Sequence, residues 1–149
     1  MKYLLLIAIL FTSPGRKTEF TNPTGTYILR GLVEKNLITN HNGEIRAKLL
    51  QNDKMVLCFY LNNGYPGFES ASFIDTLGYF DNQVRYTPIT DSSCTLVFLF
   101  TDTSVNLTLI YSDPHCKCGF PKGVIVPAFF RKYSGEIPLI QDLSAHRIG

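Results

Sequence analysis

The stretch YSDPHCKCGFPKG, Tyr111 to Gly123, places His115, Cys116 and Cys118 within four positions. Imidazole and thiolate donors suit zinc or copper. The spacing argues against both. It is C-x-C rather than C-x-x-C, and the other histidines, His41 and His146, are distant in sequence. A four-ligand zinc site would have to recruit Cys94. A thioredoxin-type redox motif needs C-x-x-C at a helix start, and no helix is predicted there. The expectation is therefore a disulfide, with no metal and no cofactor. Cys58, Cys94, Cys116 and Cys118 allow three connectivities, which spacing does not decide among. The expected bond is Cys94–Cys118, because Cys94 opens an apolar strand and Cys118 leads toward the last one. Cys116 is then expected to point elsewhere. Cys58, mid-strand in VLCFY, is expected to be a buried free thiol.

Acid–base chemistry has little to work with. The three histidines are scattered, and each reads as a solvated loop residue. Glu69 and Asp75 in GFESASFIDT are candidate paired carboxylates, but a glycosidase needs a defined gap across a cleft. Carboxylates beside serines and threonines are commonly turn groups. No P-loop, G-x-S-x-G or H-E-x-x-H occurs. The expectation is a protein that is not an enzyme. Binding chemistry is better represented. LNNGYPGFESAS, Leu61 to Ser72, sets Tyr65 and Phe68 among Asn63, glycines and a proline. Phe120 sits similarly between Gly119 and Pro121. Rigid aromatics in such loops are what recognition surfaces use. The competing reading is that these rings cap the core.

These loops need a scaffold, and composition bounds it. Of the 149 residues, 45% are apolar and 17% charged, which excludes a disordered chain and fits one domain. The net charge of +2 is near balance, and no basic run marks a nucleic-acid partner. Lys2, the nine-residue apolar run Tyr3 to Phe11 and the breaker TSPG read as an export signal over residues 1–15. The run is too short to span a bilayer. Residues 16–24 follow as a polar leader.

Period two governs the rest. GTYILRG opens a strand. Hairpins are predicted from Glu44 to Leu61, from Ala71 to Pro88 with a turn at Asp81 and Asn82, and from Cys94 to Ser112. A last strand is predicted over Gly123 to Tyr133, with a bulge or an unpaired position at Pro127. Leu32 to Leu37 reads either as a short helix or as an extension of the first strand. About eight strands with hairpin-length links predict an all-β, eight-stranded antiparallel up-and-down barrel over residues 25–133, its first and last strands paired. Such a barrel has an interior that side chains fill or that holds one small ligand. In the tail, residues 134–149, Ile137, Leu139, Ile140 and Leu143 are spaced to cover an apolar patch, with a short helix after Pro138.

The order of signal, G-x-Y strand, meander and closing FFRKY resembles small exported lipocalin-like (calycin) barrels. Lipocalins usually open with G-x-W; Gly25 and Tyr27 keep the glycine and an aromatic. The resemblance implies a basic residue, Arg131 or Lys132, packed over that aromatic. Cys94 and the CGF of Cys118 to Phe120 are also similar to small bacterial periplasmic barrel proteins, some of which inhibit lysozymes. The expected function is non-catalytic binding by an exported protein, periplasmic or secreted. The partner is a protein held by the loops or a small apolar ligand held inside. The alternative is a structural or envelope-associated protein with no discrete ligand.

Overall fold

The computed structural model describes residue 15 and residues 17–142. The expected signal, Gly15 apart, and the end of the tail, including Leu143, lie outside the described residues. Eight strands form one sheet: β1 (Gly25–Leu29), β4 (Asn42–Leu49), β5 (Lys54–Asn62), β6 (Ser70–Gly78), β7 (Gln83–Tyr86), β8 (Cys94–Phe100), β9 (Ser104–Tyr111) and β10 (Ala128–Ser134). Their order is β6-β5-β4-β1-β10-β9-β8-β7, and every described pairing is antiparallel. The predicted closure of first strand on last is present, with Tyr27 opposite Lys132 and Ile28 opposite Arg131. β10 carries one extra residue, Tyr133, at a bulge between those pairs and Thr26–Ser134.

Alternation explains the core. In β8, Cys94, Leu96, Phe98 and Phe100 point inward and are buried, while Leu99 is exposed on the other face. Rings meet along the barrel axis. Phe59 lies 5.3 Å from Phe73, 5.4 Å from Phe98 and 6.4 Å from Phe130. Lower down, Phe100 lies 5.6 Å from Tyr27 and 5.8 Å from Tyr79, edge to face in both cases. Of the two basic residues considered, Lys132 is the one over the opening aromatic, its Nζ 5.5 Å from the Tyr27 ring centre.

Four expectations need correction. The hairpin from Ala71 to Pro88 keeps its turn, with Asp81 and Asn82 in the left-handed region, but the flanking ladder is a single bridge, Phe80 to Gln83. Beyond it β6 and β7 part, and the Phe73 ring stacks on Tyr86 at 3.7 Å across the seam. The barrel is thus nearly closed. Leu32 to Leu37 is neither helix nor strand extension. It belongs to a two-stranded ear, β2 (Val33–Glu34) and β3 (Leu37–Ile38), turning through Lys35 and Asn36, both at positive φ. The last strand begins at Ala128, because Pro127 lacks the N–H that would extend the ladder. The tail is not helical over residues 135–142. Ile140 covers Cys58 and Tyr60, and Arg46 donates to the Leu139 carbonyl at 3.0 Å, but Ile137 and Leu139 stay exposed.

Residues 17–24 are more than a leader. They cross the end of the barrel where the chain enters. Asn82 Nδ2 donates to the Glu19 carbonyl at 2.6 Å, and its Oδ1 accepts from the Thr21 N–H at 2.8 Å. The Tyr79 and Tyr27 hydroxyls donate to the carbonyls of Thr21 and Pro23, at 2.7 and 2.9 Å. Phe20 packs edge-on against Tyr79.

Asn82 therefore serves both the turn and the plug. Asn82→Ala should destabilise by about 2–3 kcal/mol in urea denaturation, through lost hydrogen bonds and a left-handed backbone. Asn82→Gly should recover the backbone part. Burial, and then the charge of Asp102, pushes the Tyr79 hydroxyl up to about 12. The neutral phenol is favoured in the folded state, so its contribution is complete below the ordinary tyrosine value of about 10. It is lost as pH rises through about 12. Stability measured from pH 9 to 12 should fall less steeply for Tyr79→Phe than for the wild type.

Candidate functional site

Strand directions sort the connections between two ends. Links 50–53, 79–82 and 101–103 lie with residues 17–24 at one end. Links 30–41, 63–69, 87–93 and 112–127 lie at the other. Both loops singled out from the sequence therefore share one rim, but they are built differently.

The 63–69 loop is braced from behind. The buried Asn62 side chain donates to the Phe68 carbonyl at 3.0 Å and accepts from the Gly64 N–H at 2.7 Å. Asn63 Oδ1 accepts from the Glu69 N–H at 3.0 Å, so Asn63 shapes the loop. The Phe68 N–H donates to the Gly64 carbonyl at 2.8 Å, and the Tyr65 N–H to the Ile38 carbonyl of the ear at 2.7 Å. The Tyr65–Pro66 bond is cis, and Phe68 holds φ at 51°. For a bulky residue that backbone carries a cost, met here by the surrounding bonds. Two aromatics result, 50% and 53% exposed, with ring centres 6.0 Å apart.

The ear extends this apolar surface. Leu32, Val33, Leu37 and Ile38 are all exposed. Sequence reasoning missed them, since two-residue strands show no periodicity. The paired lysine and asparagine at a turn between apolar residues was the available signal. Gly64 makes the docking possible. At φ +71°, a Cβ there would stand 2.6 Å from the Asn40 carbonyl oxygen and 2.8 Å from that of Ile38.

The 112–127 segment is a lid. Val124 is fully buried, and Phe120 and Ile125 pack partly buried against the core. Phe120 thus shares the rim with Tyr65 and Phe68 but is a packing residue of the lid. His41 Nε2 meets the Gly123 carbonyl at 3.0 Å. A cleft of about 580 Å³ beneath the lid is lined by Leu109, Tyr111, His115, Lys122 and Ile125, among others.

Cys94 and Cys118 are bonded, as expected. The bond ties the lid to β8 across a separation of 24 residues, a closure contributing about 3 kcal/mol in the chain-entropy picture. The expectation that Cys116 points elsewhere fails. Its Sγ lies 3.9 Å from that of Cys118 and donates to Asp91 Oδ2 at 3.1 Å. Ser93 also donates to Asp91. These bonds, that of Ser93 first, hold the Asp91 carboxyl below the usual carboxylate range. The sulfurs of Cys94, Cys116 and Cys118 all lie within 4.8 Å of one another. Three sulfurs at that spacing form a thiolate donor set for a soft metal only if the disulfide is reduced. Cys58 is buried and free, and burial pushes its thiol up, which keeps it protonated and unreactive.

Asp75 is an exposed residue of β6 whose Oδ1 accepts from the adjacent Thr76 N–H at 2.7 Å. Glu69 sits at the far end of the loop, tied through its backbone to Asn63.

Packing separates the three aromatics. Phe120→Ala should cost about 2 kcal/mol in chemical denaturation, less than a fully buried Phe because it is partly exposed. Tyr65→Ala and Phe68→Ala should each change stability by about 0.5 kcal/mol or less. Gly64→Ala, by forcing the loop off the ear, should cost more than either, about 2 kcal/mol.

The chain matches no family model, no curated protein and no solved structure. Its likeness to lipocalin-like proteins rests on the fold: an all-β, nearly closed barrel of eight antiparallel strands, with a lysine over the aromatic of the first strand.

Proposed function

We propose that this is a non-catalytic, exported binding protein that engages a protein partner through the long-loop rim, with Tyr65 and Phe68 as anchors. One observation carries the reading: two half-exposed rings are held side by side on a loop whose backbone is braced by Asn62, Asn63 and the ear. Preorganised aromatics lose little entropy on binding, which is where interface energy concentrates. The apolar ear beside them widens the contact. The aromatic rings meeting along the barrel axis favour a protein on the rim over an apolar ligand inside. The Cys94–Cys118 bond is consistent with an oxidising compartment, and so supports export. Among the described residues no helix is long and apolar enough to cross a membrane.

A structural role has its own support. Phe129 and Tyr133 are exposed on the outer face of β10, where they could serve assembly. Pull-down from an extract of the exported compartment compares wild type with the Tyr65→Ala, Phe68→Ala double variant. A partner recovered by wild type should be lost with the variant. Its affinity should fall about 30-fold or more, the equivalent of about 2 kcal/mol. Equal recovery by both proteins removes the rim reading and leaves assembly through the outer face ahead.

A further inference from the structure

We infer that the clasp at the barrel rim is a thiol–disulfide exchange site, in which Cys94 changes its partner between Cys118 and Cys116. Three sulfurs stand within 4.8 Å of one another, two bonded and one carrying a thiol. Cys116 is partly exposed, so solvent base can reach it. Its thiol is held at the disulfide by Asp91, whose carboxylate is in turn bound by Ser93. The Cys118 N–H also donates to Cys116 Sγ at 3.2 Å, which holds that sulfur 3.9 Å from Cys118 Sγ, so a turn of the Cys116 side chain must precede attack in line with the bond at Cys94.

The exchange balances without an outside oxidant or reductant. Cys116 gives its proton to solvent, and the thiolate attacks Cys94 Sγ. The Cys94–Cys116 bond forms as the Cys94–Cys118 bond breaks. The electron pair leaves on Cys118 Sγ, which takes a proton from solvent. One disulfide and one thiol are present before and after. The backbone offers a reason for both states to be accessible. Cys118 sits at φ 56°, in the left-handed region, and Gly119 beyond it at φ 72°. Release of Cys118 frees that turn to relax, while the lid stays tethered two residues earlier. The exchange thus slides the lid relative to β8 without letting it go. Cys58, covered by Ile140 on the outer face of β5, takes no part.

Trypsin cuts after Arg85, Lys117 and Lys122, so Cys94 and Cys116 share peptide 86–117 while Cys118 lies on 118–122. Full-length protein is held at pH 8.5, quenched in acid, alkylated with N-ethylmaleimide and mapped without reduction. Wild type should show peptide 86–117 cross-linked to 118–122 with N-ethylmaleimide on Cys116, and also, as a minor species, 86–117 closed by its own internal disulfide with N-ethylmaleimide on a free 118–122 peptide. In Cys118→Ser, with oxidised glutathione supplied as the two-electron oxidant, the Cys94–Cys116 bond should form as an internal disulfide of 86–117. In Cys116→Ser the internally closed species should vanish while Cys94–Cys118 stays complete. The inference is overturned if wild type shows only Cys94–Cys118 after a day, or if Cys94 and Cys116 are both fully alkylated in a folded Cys118→Ser protein after treatment with oxidised glutathione. Should that variant not fold, the wild-type map alone decides.

Discussion

The interior of an eight-stranded barrel is just wide enough for side chains, and here rings fill it. Phe59 touches partners contributed by β6, β8 and β10. Phe100 bridges Tyr27 of β1 and Tyr79 below the sheet. Each edge-to-face pair adds about 0.5–1.5 kcal/mol beyond area burial. Their larger effect is geometric. Rings meeting at the axis fix how far the two walls stand apart, and that fixes where every loop begins. The rim is rigid because the column of rings beneath it is.

The two ends use this column differently. At the entry end, short turns leave the core open to water, and residues 17–24 close it with hydrogen bonds from Asn82, Tyr79 and Tyr27. At the other end, the lid inserts Val124 and is fastened by Cys94–Cys118. Polar side chains seal one end, and a covalent bond with apolar packing seals the other. The 63–69 loop is relieved of any sealing role, so Tyr65 and Phe68 can remain in solvent.

Much of this was legible in the sequence, and the limits have physical causes. Alternation in VNLTLIY, with Val105 and Leu107 opposed to Asn106 and Thr108, marks an inward face because strand geometry enforces it locally, whereas CTLVFLF is apolar on both sides. Closure of β1 on β10 followed from hairpin-length links, and the Cys94–Cys118 bond from where each cysteine sits relative to its strand. What failed depends on distant parts of the chain. The Asp81–Asn82 turn is local and was found. Whether β6 and β7 stay paired beyond it depends on a Phe73–Tyr86 stack that no local pattern announces. Phe120 and Phe68 share a setting of glycine and proline. One packs on the core and the other is exposed because of the lid and the ear, neither of which has a periodic signature. Cys116 was expected to point elsewhere, and no local pattern announces the turn it occupies. Cys118 lies in the left-handed region, and the two sulfurs stand 3.9 Å apart.

The seam between β6 and β7 leaves part of a nine-residue strand without a neighbour. A bare edge of that length is a template for unwanted strand addition. Asp75 stands in its middle. Its carboxylate occupies the Thr76 N–H that an incoming strand would seek. It also places a negative charge on that edge. A residue that invites reading as catalytic thus stands on the open edge of a barrel whose seam is held by a single bridge and one ring stack.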